Sequence, residues 1–208
     1  MKLKILACIL FIPFLVLGQV SNFPDVKGDK ESFSKLKDKS IKSELAQFTD
    51  EGSNNHPRIT SLFEIPLQKY SNNFSIFQTD SVLIKIEKSK FSKAKHKIKY
   101  FEESAITIDN KPIWGKDGDL PKEQISSIFV KIGLDTIRIP KTAYNDLYEP
   151  NLTYKEGNET VGFLRVYASL NRSRYYIYMQ NGDGAGFYEV TLIIDHNRYL
   201  KRVIDYGF

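Results

Sequence analysis

Apolar and polar residues alternate with a period of two along most of the chain beyond residue 80. Between positions 81 and 88, for example, Val82, Ile84 and Ile86 occupy every second position. This period is typical of β-strands that bury one face and expose the other to solvent. It predicts strands over residues 81–88, 95–101, 128–132, 136–140, 162–170, 174–180, 187–195 and 199–206. Short loops rich in Asn, Asp, Gly and Arg join the last four segments, which predicts an antiparallel meander.

Residues 30–48 follow a longer period. Their apolar side chains, spaced three to five positions apart, are Phe33, Leu36, Ile41, Leu45 and Phe48. That spacing is typical of an amphipathic helix, which we expect either to dock on the β domain or to form a semi-detached arm. A loop is predicted at residues 50–58, and short helical turns are predicted at residues 121–127 and 142–147.

Together these patterns predict a mainly β (α+β) fold, an antiparallel sheet or sandwich with one N-terminal amphipathic helix. The predicted organisation along the chain has three parts. Residues 1–18 are a signal peptide, residues 19–58 hold a leader, the helix and a loop, and residues 59–208 form the antiparallel β domain.

The first residues have the pattern of a secretion signal. Lys2 and Lys4 precede an almost wholly apolar run over residues 5–17, and Gly18 offers a small residue for cleavage before Gln19. A membrane-spanning helix needs about 20 apolar residues, so the run is too short to cross a bilayer. We therefore expect a periplasmic or secreted protein without a transmembrane span after cleavage. A retained anchor and lipidation at Cys8 are the alternatives.

Composition narrows the function classes. Cleavage removes Lys2 and Lys4 from the 30 basic residues, so 28 remain against 25 acidic ones, a net charge of +3. Such a mild bias predicts no nucleic-acid binding. The single cysteine leaves with the signal, which excludes disulfides and is ordinary for a bacterial periplasmic protein. The three histidines share no ligand spacing, so neither a metal nor another cofactor is predicted.

Two loops concentrate glycine and aspartate. The Trp loop (residues 113–122) contains the only tryptophan, and the Gly-Asp loop (residues 181–186) has three glycines in six residues. Paired carboxylates are the chemistry of glycoside hydrolysis, and Ca²⁺ also binds alternating acids and backbone oxygens. The catalytic candidates are Asp117, Asp119, Asp183 and Glu189. Two tight turns without chemistry are the alternative interpretation.

One face of the predicted meander is aromatic. If the strand over residues 162–170 buries Leu164 and Val166, its other face presents Arg165 and Tyr167. The ligand-binding candidates, for a sugar ring or a peptide, are Trp114, Arg165, Tyr167, Tyr176, Tyr178 and Phe187. The alternative is that residues 30–48 or 59–77 cover this face as a second core.

A third candidate surface is basic. Lys95, Lys97 and Lys99 alternate along one predicted strand and so point the same way. They form either a surface for anions or an acidic partner, or an edge protected by lysine against aggregation.

The Trp loop, the segment 181–190 and the closing stretch 199–208 resemble parts of secreted bacterial proteins of unassigned function. The WGKDGDLPK and GDGAGFYEV segments carry the resemblance, and the Gly18-Gln19 junction is similar to export signals of Bacteroidetes. The resemblance implies an exported bacterial protein and carries over no activity and no binding residue.

The resulting functional expectation is an exported non-catalytic domain that binds a ligand, with a protein or glycan as the unidentified partner. A hydrolase of cell-wall or extracellular glycans is the first alternative, and an inhibitor or immunity-type protein is the second.

Overall fold

The computed structural model describes residues 27–28, 31–50, 61–152, 154–156 and 159–206. The expected signal peptide, Cys8, His56 and all of the expected loop after Asp50 lie outside the described residues. Within those residues, no helix has both the length and the apolar character that a membrane crossing requires.

The described chain is mainly β with one short α-helix, so the predicted fold class is confirmed. The helix α1 spans Lys39–Leu45, and single 3-10 turns lie at Phe33–Lys35, Lys93–Lys95, Lys141–Ala143 and Gly184–Gly186. The strands are β1 (Leu62–Glu64), β2 (Leu67–Ser71), β3 (Phe74–Gln78), β4 (Val82–Lys90), β5 (Ile98–Phe101), β6 (Ser104–Ile108), β7 (Lys111–Pro112), β8 (Glu123–Ile132), β9 (Asp135–Ile137), β10 (Tyr154–Glu156), β11 (Glu159–Val161), β12 (Leu164–Ser169), β13 (Arg174–Asn181), β14 (Tyr188–Asp195) and β15 (Arg198–Tyr206).

The strands pair in antiparallel sheets. Sheet I has the order β1-β12-β13-β14-β15, which contains the predicted meander, and sheet II has the order β2-β3-β4-β8-β9. A smaller sheet, β5-β6-β7, and the hairpin β10-β11 complete the architecture.

The two large sheets pack face to face as a sandwich. Val82, Ile84 and Ile86 of sheet II belong to the same buried cluster as Val166 and Ile177 of sheet I. Alternation along each strand sends every second side chain into this layer, which is why the period of two located several strands of each sheet.

The predicted helix over residues 30–48 is wrong in extent. Leu36 is extended, with ψ at 123°, and it separates the first 3-10 turn from α1. Asp38 then caps α1, because its Oδ1 accepts a hydrogen bond from the Ile41 backbone N–H at 3.0 Å. The described residues 31–50, here called the strap, therefore form two short helical pieces.

Two other local predictions are wrong. Residues 123–127 are strand rather than helical turn, because β4 continues past a register shift at Glu87/Lys88 and pairs with them. Lys95 lies in a 3-10 turn, and β5 begins only at Ile98. The strands β1 to β3, β6, β7, β10 and β11 were not predicted, since they are short or lack a clear period of two.

Candidate functional site

The aromatic face of sheet I is covered by the strap. Tyr167, Tyr176 and Tyr178 are 1%, 0% and 4% exposed. They pack with Ile41 and Leu45 of α1 in a second buried cluster. The expected open platform is therefore wrong for these tyrosines, and the alternative, a face covered by residues 30–48, is the observed one. The apolar residues of the strap pack on tyrosine rings that would otherwise be exposed to water.

Polar contacts fasten the strap to this face. Glu44 accepts a hydrogen bond from the Tyr176 hydroxyl and lies 3.3 Å from the Arg174 guanidinium. Phe48 stacks on Tyr167 with ring centroids 4.5 Å apart. Burial raises the pKa of Tyr176 above its ordinary value, and the neighbouring Glu44 adds to the rise. The strap is therefore an integral layer of the fold.

Glu189 belongs to the same layer. It is 2% exposed, and its carboxylate accepts hydrogen bonds from the Tyr178 hydroxyl at 2.7 Å and the Asp50 backbone N–H at 2.9 Å. Glu189 therefore has a structural role: its carboxylate accepts the hydrogen bonds that join the strap to sheet I.

The Trp loop and the Gly-Asp loop pack against each other through glycine backbones. A Cβ placed on Gly182 would lie 3.0 Å from the Gly115 Cα, and one on Gly186 would lie 2.8 Å from the Gly115 oxygen. Gly115 itself has φ at +105°, in the region that favours glycine. The contact brings the two loops together and leaves no open space between these glycines.

The remaining catalytic candidates are exposed. Asp117, Asp119 and Asp183 all have solvent-exposed side chains. None of the three makes a side-chain hydrogen bond or ion pair within the described part of the chain. Glu189 is buried beneath the strap whereas these three acids are solvated, so the four candidates do not share one environment.

A cleft of about 480 Å³ lies beside the buried tryptophan. This Trp cleft is lined by Lys27, Gly28, Glu31, Lys111, Pro112, Trp114, Thr142, Asp146, Arg202 and Ile204. Its volume falls in the range of about 300–1,000 Å³ that is typical of small-ligand pockets. Five of the lining residues are charged and two, Trp114 and Ile204, are buried apolar side chains.

An ion pair forms the base of the Trp cleft. The two terminal nitrogens of Arg202 donate to Asp146 Oδ1 at 2.6 Å and Oδ2 at 2.9 Å, and Nε donates to Glu31 at 2.8 Å. Asp146 is 2% exposed. Burial lowers the pKa of Arg202, but the hydrogen bonds and charges of Asp146 and Glu31 outweigh it, so the net shift is upward. The bidentate contact therefore holds the two side chains in one fixed arrangement.

The wall of the Trp cleft is aromatic. Trp114 is 2% exposed and meets Tyr206 edge to face, with ring centroids 5.1 Å apart. Lys27 Nζ lies 5.8 Å from the Trp114 ring and 5.3 Å from the Tyr206 ring, within reach of cation–π attraction. The Trp114 Nε1–H is buried and finds no hydrogen-bond partner among the described residues.

Local structure explains these positions. The Trp114 backbone bridges to Leu147, which holds the indole between β7 and the segment carrying Asp146. Lys111, on β7, donates from Nζ to Asn145 Oδ1 at 2.6 Å and to the Thr142 carbonyl at 3.3 Å. These contacts fix the position of the Lys111 side chain at the rim of the Trp cleft.

The other predicted site residues lie elsewhere. Arg165 is exposed and Phe187 is half-buried, and neither lines the Trp cleft. Lys95, Lys97 and Lys99 are exposed around β5. Trp114 is the one predicted ligand residue that the structure places in the cleft wall.

Sequence reasoning missed Arg202, Asp146, Lys111 and Glu31. One signal existed for Arg202: it shares its strand face with Ile204, so an arginine occupies an inward position of an alternating strand. A charge at such a position requires a buried partner. The identity of that partner, Asp146, depends on tertiary structure.

The described residues contain no group of three His, Cys, Asp or Glu side chains arranged to hold a metal ion. The chain matches no protein-family model, no curated protein and no solved structure.

Proposed function

We propose that the protein is an exported, non-catalytic binding domain that holds a small hydroxyl-rich ligand, such as one unit of a glycan, in the Trp cleft. The observation that carries this proposal is the lining of the cleft. Charges of both signs surround a buried aromatic wall in a cavity of about 480 Å³.

The charge balance selects the ligand class. Lys27 and Lys111 carry donor groups and Glu31 carries acceptor oxygens, while Arg202 and Asp146 chiefly satisfy each other. A strongly anionic ligand would meet the two carboxylates, and a strongly cationic one would meet the lysines. Hydroxyl groups both donate and accept hydrogen bonds, so a sugar satisfies both kinds of lining group.

Preorganisation supports binding at this place. The hydrogen bonds of Arg202 to Asp146 and of Lys111 to Asn145 exist without a ligand. A ligand therefore pays little to order these side chains.

The only tryptophan lies in the cleft wall, so its fluorescence reports binding directly. We expect saturable quenching or enhancement with at least one member of a panel of soluble mono- and disaccharides that includes cell-wall disaccharides. Lys111→Met should raise the Kd about tenfold, since it removes a rim donor. Lys99→Met, on the exposed strand β5, is the matched control and should leave the Kd within twofold.

Product analysis by mass spectrometry separates binding from hydrolysis. Intact saccharide after prolonged incubation is expected of a binding domain. Shortened products, lost in Asp117→Asn or Asp183→Asn, would instead establish the glycan hydrolase. A fluorescence signal that no saccharide changes would refute the assignment of the Trp cleft.

A further inference from the structure

A second recess lies where the edges of the two large sheets meet, and its lining shares no residue with the Trp cleft. It has a volume of about 390 Å³ and is lined by Thr136, Ile137, Arg138, Pro140, Asn197, Arg198 and Tyr199. We call it the edge groove, because β9 is the last strand of sheet II and β15 is the last strand of sheet I. Edge strands present backbone N–H and C=O groups that another extended chain can use.

The edge groove is basic. Arg138 and Arg198 are both exposed, and no acidic side chain is among the residues that line the groove. Within the described part of the chain, neither guanidinium has a hydrogen-bond or ion-pair partner. The nearby carboxylate of Asp135 is engaged, because it accepts a hydrogen bond from Asn197 Nδ2 at 2.9 Å. Two arginines are thus available to carboxylates from outside.

The groove is also rigid on both sides. The Asn197–Asp135 hydrogen bond joins the turn between β14 and β15 to the start of β9. His196 and Asn197 have φ at 47° and 58°, which is the backbone of a two-residue hairpin turn that matches the twist of its strands. The backbone positions from which the two arginines project are therefore set before any partner arrives.

Exposed leucines adjoin the groove. Leu134, at the tip of the β8–β9 hairpin, is 97% exposed, and Leu200, at the irregularity in β15, is 47% exposed. Each is close in sequence to a groove residue. Arginine is enriched at protein–protein contacts, and the exposed leucines add apolar surface that a partner can bury.

We propose that the edge groove binds an extended acidic segment of a partner protein. Carboxylates of the segment pair with Arg138 and Arg198, whose planar guanidinium groups favour bidentate binding. Apolar residues of the segment contact Leu134 and Leu200. This surface is separate from the Trp cleft and does not depend on the glycan proposal.

The test is fluorescence anisotropy with the full chain and a labelled, end-blocked octapeptide of alternating Glu and Val, compared with its Gln–Val counterpart. The Glu peptide should bind saturably, and the Gln peptide at least tenfold more weakly. Raising salt from 50 to 300 mM should weaken the Glu peptide several-fold, since the contacts are exposed ion pairs.

Two matched double variants locate the site. Arg138→Glu/Arg198→Glu should raise the Kd at least tenfold. Lys97→Glu/Lys99→Glu changes the net charge equally at the other exposed basic surface and should leave the Kd within threefold. Thermal unfolding checks that both variants are folded.

Several outcomes would overturn the proposal. They are absence of saturable binding to the unaltered protein, equal binding of the Gln peptide, or equal weakening by the two double variants. Tighter, arginine-dependent binding of a single-stranded oligonucleotide would assign the groove to nucleic acid instead.

Discussion

Gly186→Ala tests the contact between the Trp loop and the Gly-Asp loop. The added Cβ would lie 2.8 Å from the Gly115 oxygen and 3.0 Å from the Lys116 Cα. Ordinary contact begins at about 3.4 Å, so the two loops must separate by several tenths of an ångström. Gly186 has no left-handed φ, so backbone strain at that residue adds nothing.

Overpacking of a close contact typically costs about 1–3 kcal/mol of unfolding free energy. We expect the upper part, about 2–3 kcal/mol, because backbone atoms cannot rotate away as a side chain does. Hydrogen bonds hold both loops: the Gly182 N–H donates to the Glu149 carbonyl at 2.9 Å, and the Trp114 carbonyl accepts from the Tyr148 N–H at 3.0 Å. For a domain of this size the melting temperature should fall by about 4–12 °C.

Gly184→Ala is the control within the same loop. Gly184 has φ at +47°, yet its Cβ would meet nothing within 4 Å. Only backbone strain remains, about 1 kcal/mol. Urea unfolding followed by circular dichroism measures both variants, and Trp114 fluorescence should shift only in Gly186→Ala. Equal stability loss in the two variants would refute the proposed loop contact.

Three further predictions concern buried and titrating groups. Tyr178→Phe removes a hydrogen-bond donor from the buried Glu189 carboxylate and should lower the free energy of unfolding by about 1.5–3 kcal/mol, measured in urea. Tyr175→Phe is the control, because the Tyr175 hydroxyl has no partner among the described residues, and it should lower that free energy by less than about 0.5 kcal/mol. Burial raises the pKa of Tyr178, and that of Tyr199 to about 12, so the stability these groups contribute is complete below about pH 10 and is lost as pH rises toward their folded pKa values. Phenolate absorbance at 295 nm from the buried rings should appear together with unfolding, and a gradual titration of all tyrosines in the folded protein would contradict this. A backbone N–H and then a histidine lower the pKa of Asp109, so its contribution is present above about pH 4 and declines as pH falls. Because Asp109 is exposed, its contribution to the free energy of unfolding is less than about 1 kcal/mol. Asp109→Asn should therefore reduce slightly the fall of the melting temperature between about pH 4 and lower pH. An unchanged fall would exclude the contribution.

The strands of the meander were predictable because each one is a local pattern. Val166 and Ile177 are inward simply because every second residue of a strand points the same way. The strap was harder to predict. Its apolar residues indicated an amphipathic helix, but the extended Leu36 and the cap at Asp38 break it into two pieces that fit the tyrosine face.

The candidate site was predictable only in part. Trp114 stood out because it is the only tryptophan, beside glycines that allow close backbone packing. Asp146 and Arg202 are 56 residues apart in the chain, and no local pattern links them. Similarly, the arginines of the edge groove come from the ends of two different sheets.

The sequence by itself therefore determined the class of fold and the buried face of most predicted strands, and it singled out Trp114 as a candidate site residue. These inferences follow from local periodicity and composition. Only the tertiary structure decided which faces are covered and which charges meet. Tyr167 and Tyr178 alternate with core residues as an exposed face would, yet the strap buries them. Removing the aromatic rings from water lowers the free energy of the folded chain more than leaving them solvated. Long-range packing also assembled the Trp cleft and the edge groove. Each is lined by segments far apart in the chain, and the sequence spacing between two segments does not show whether they pack together.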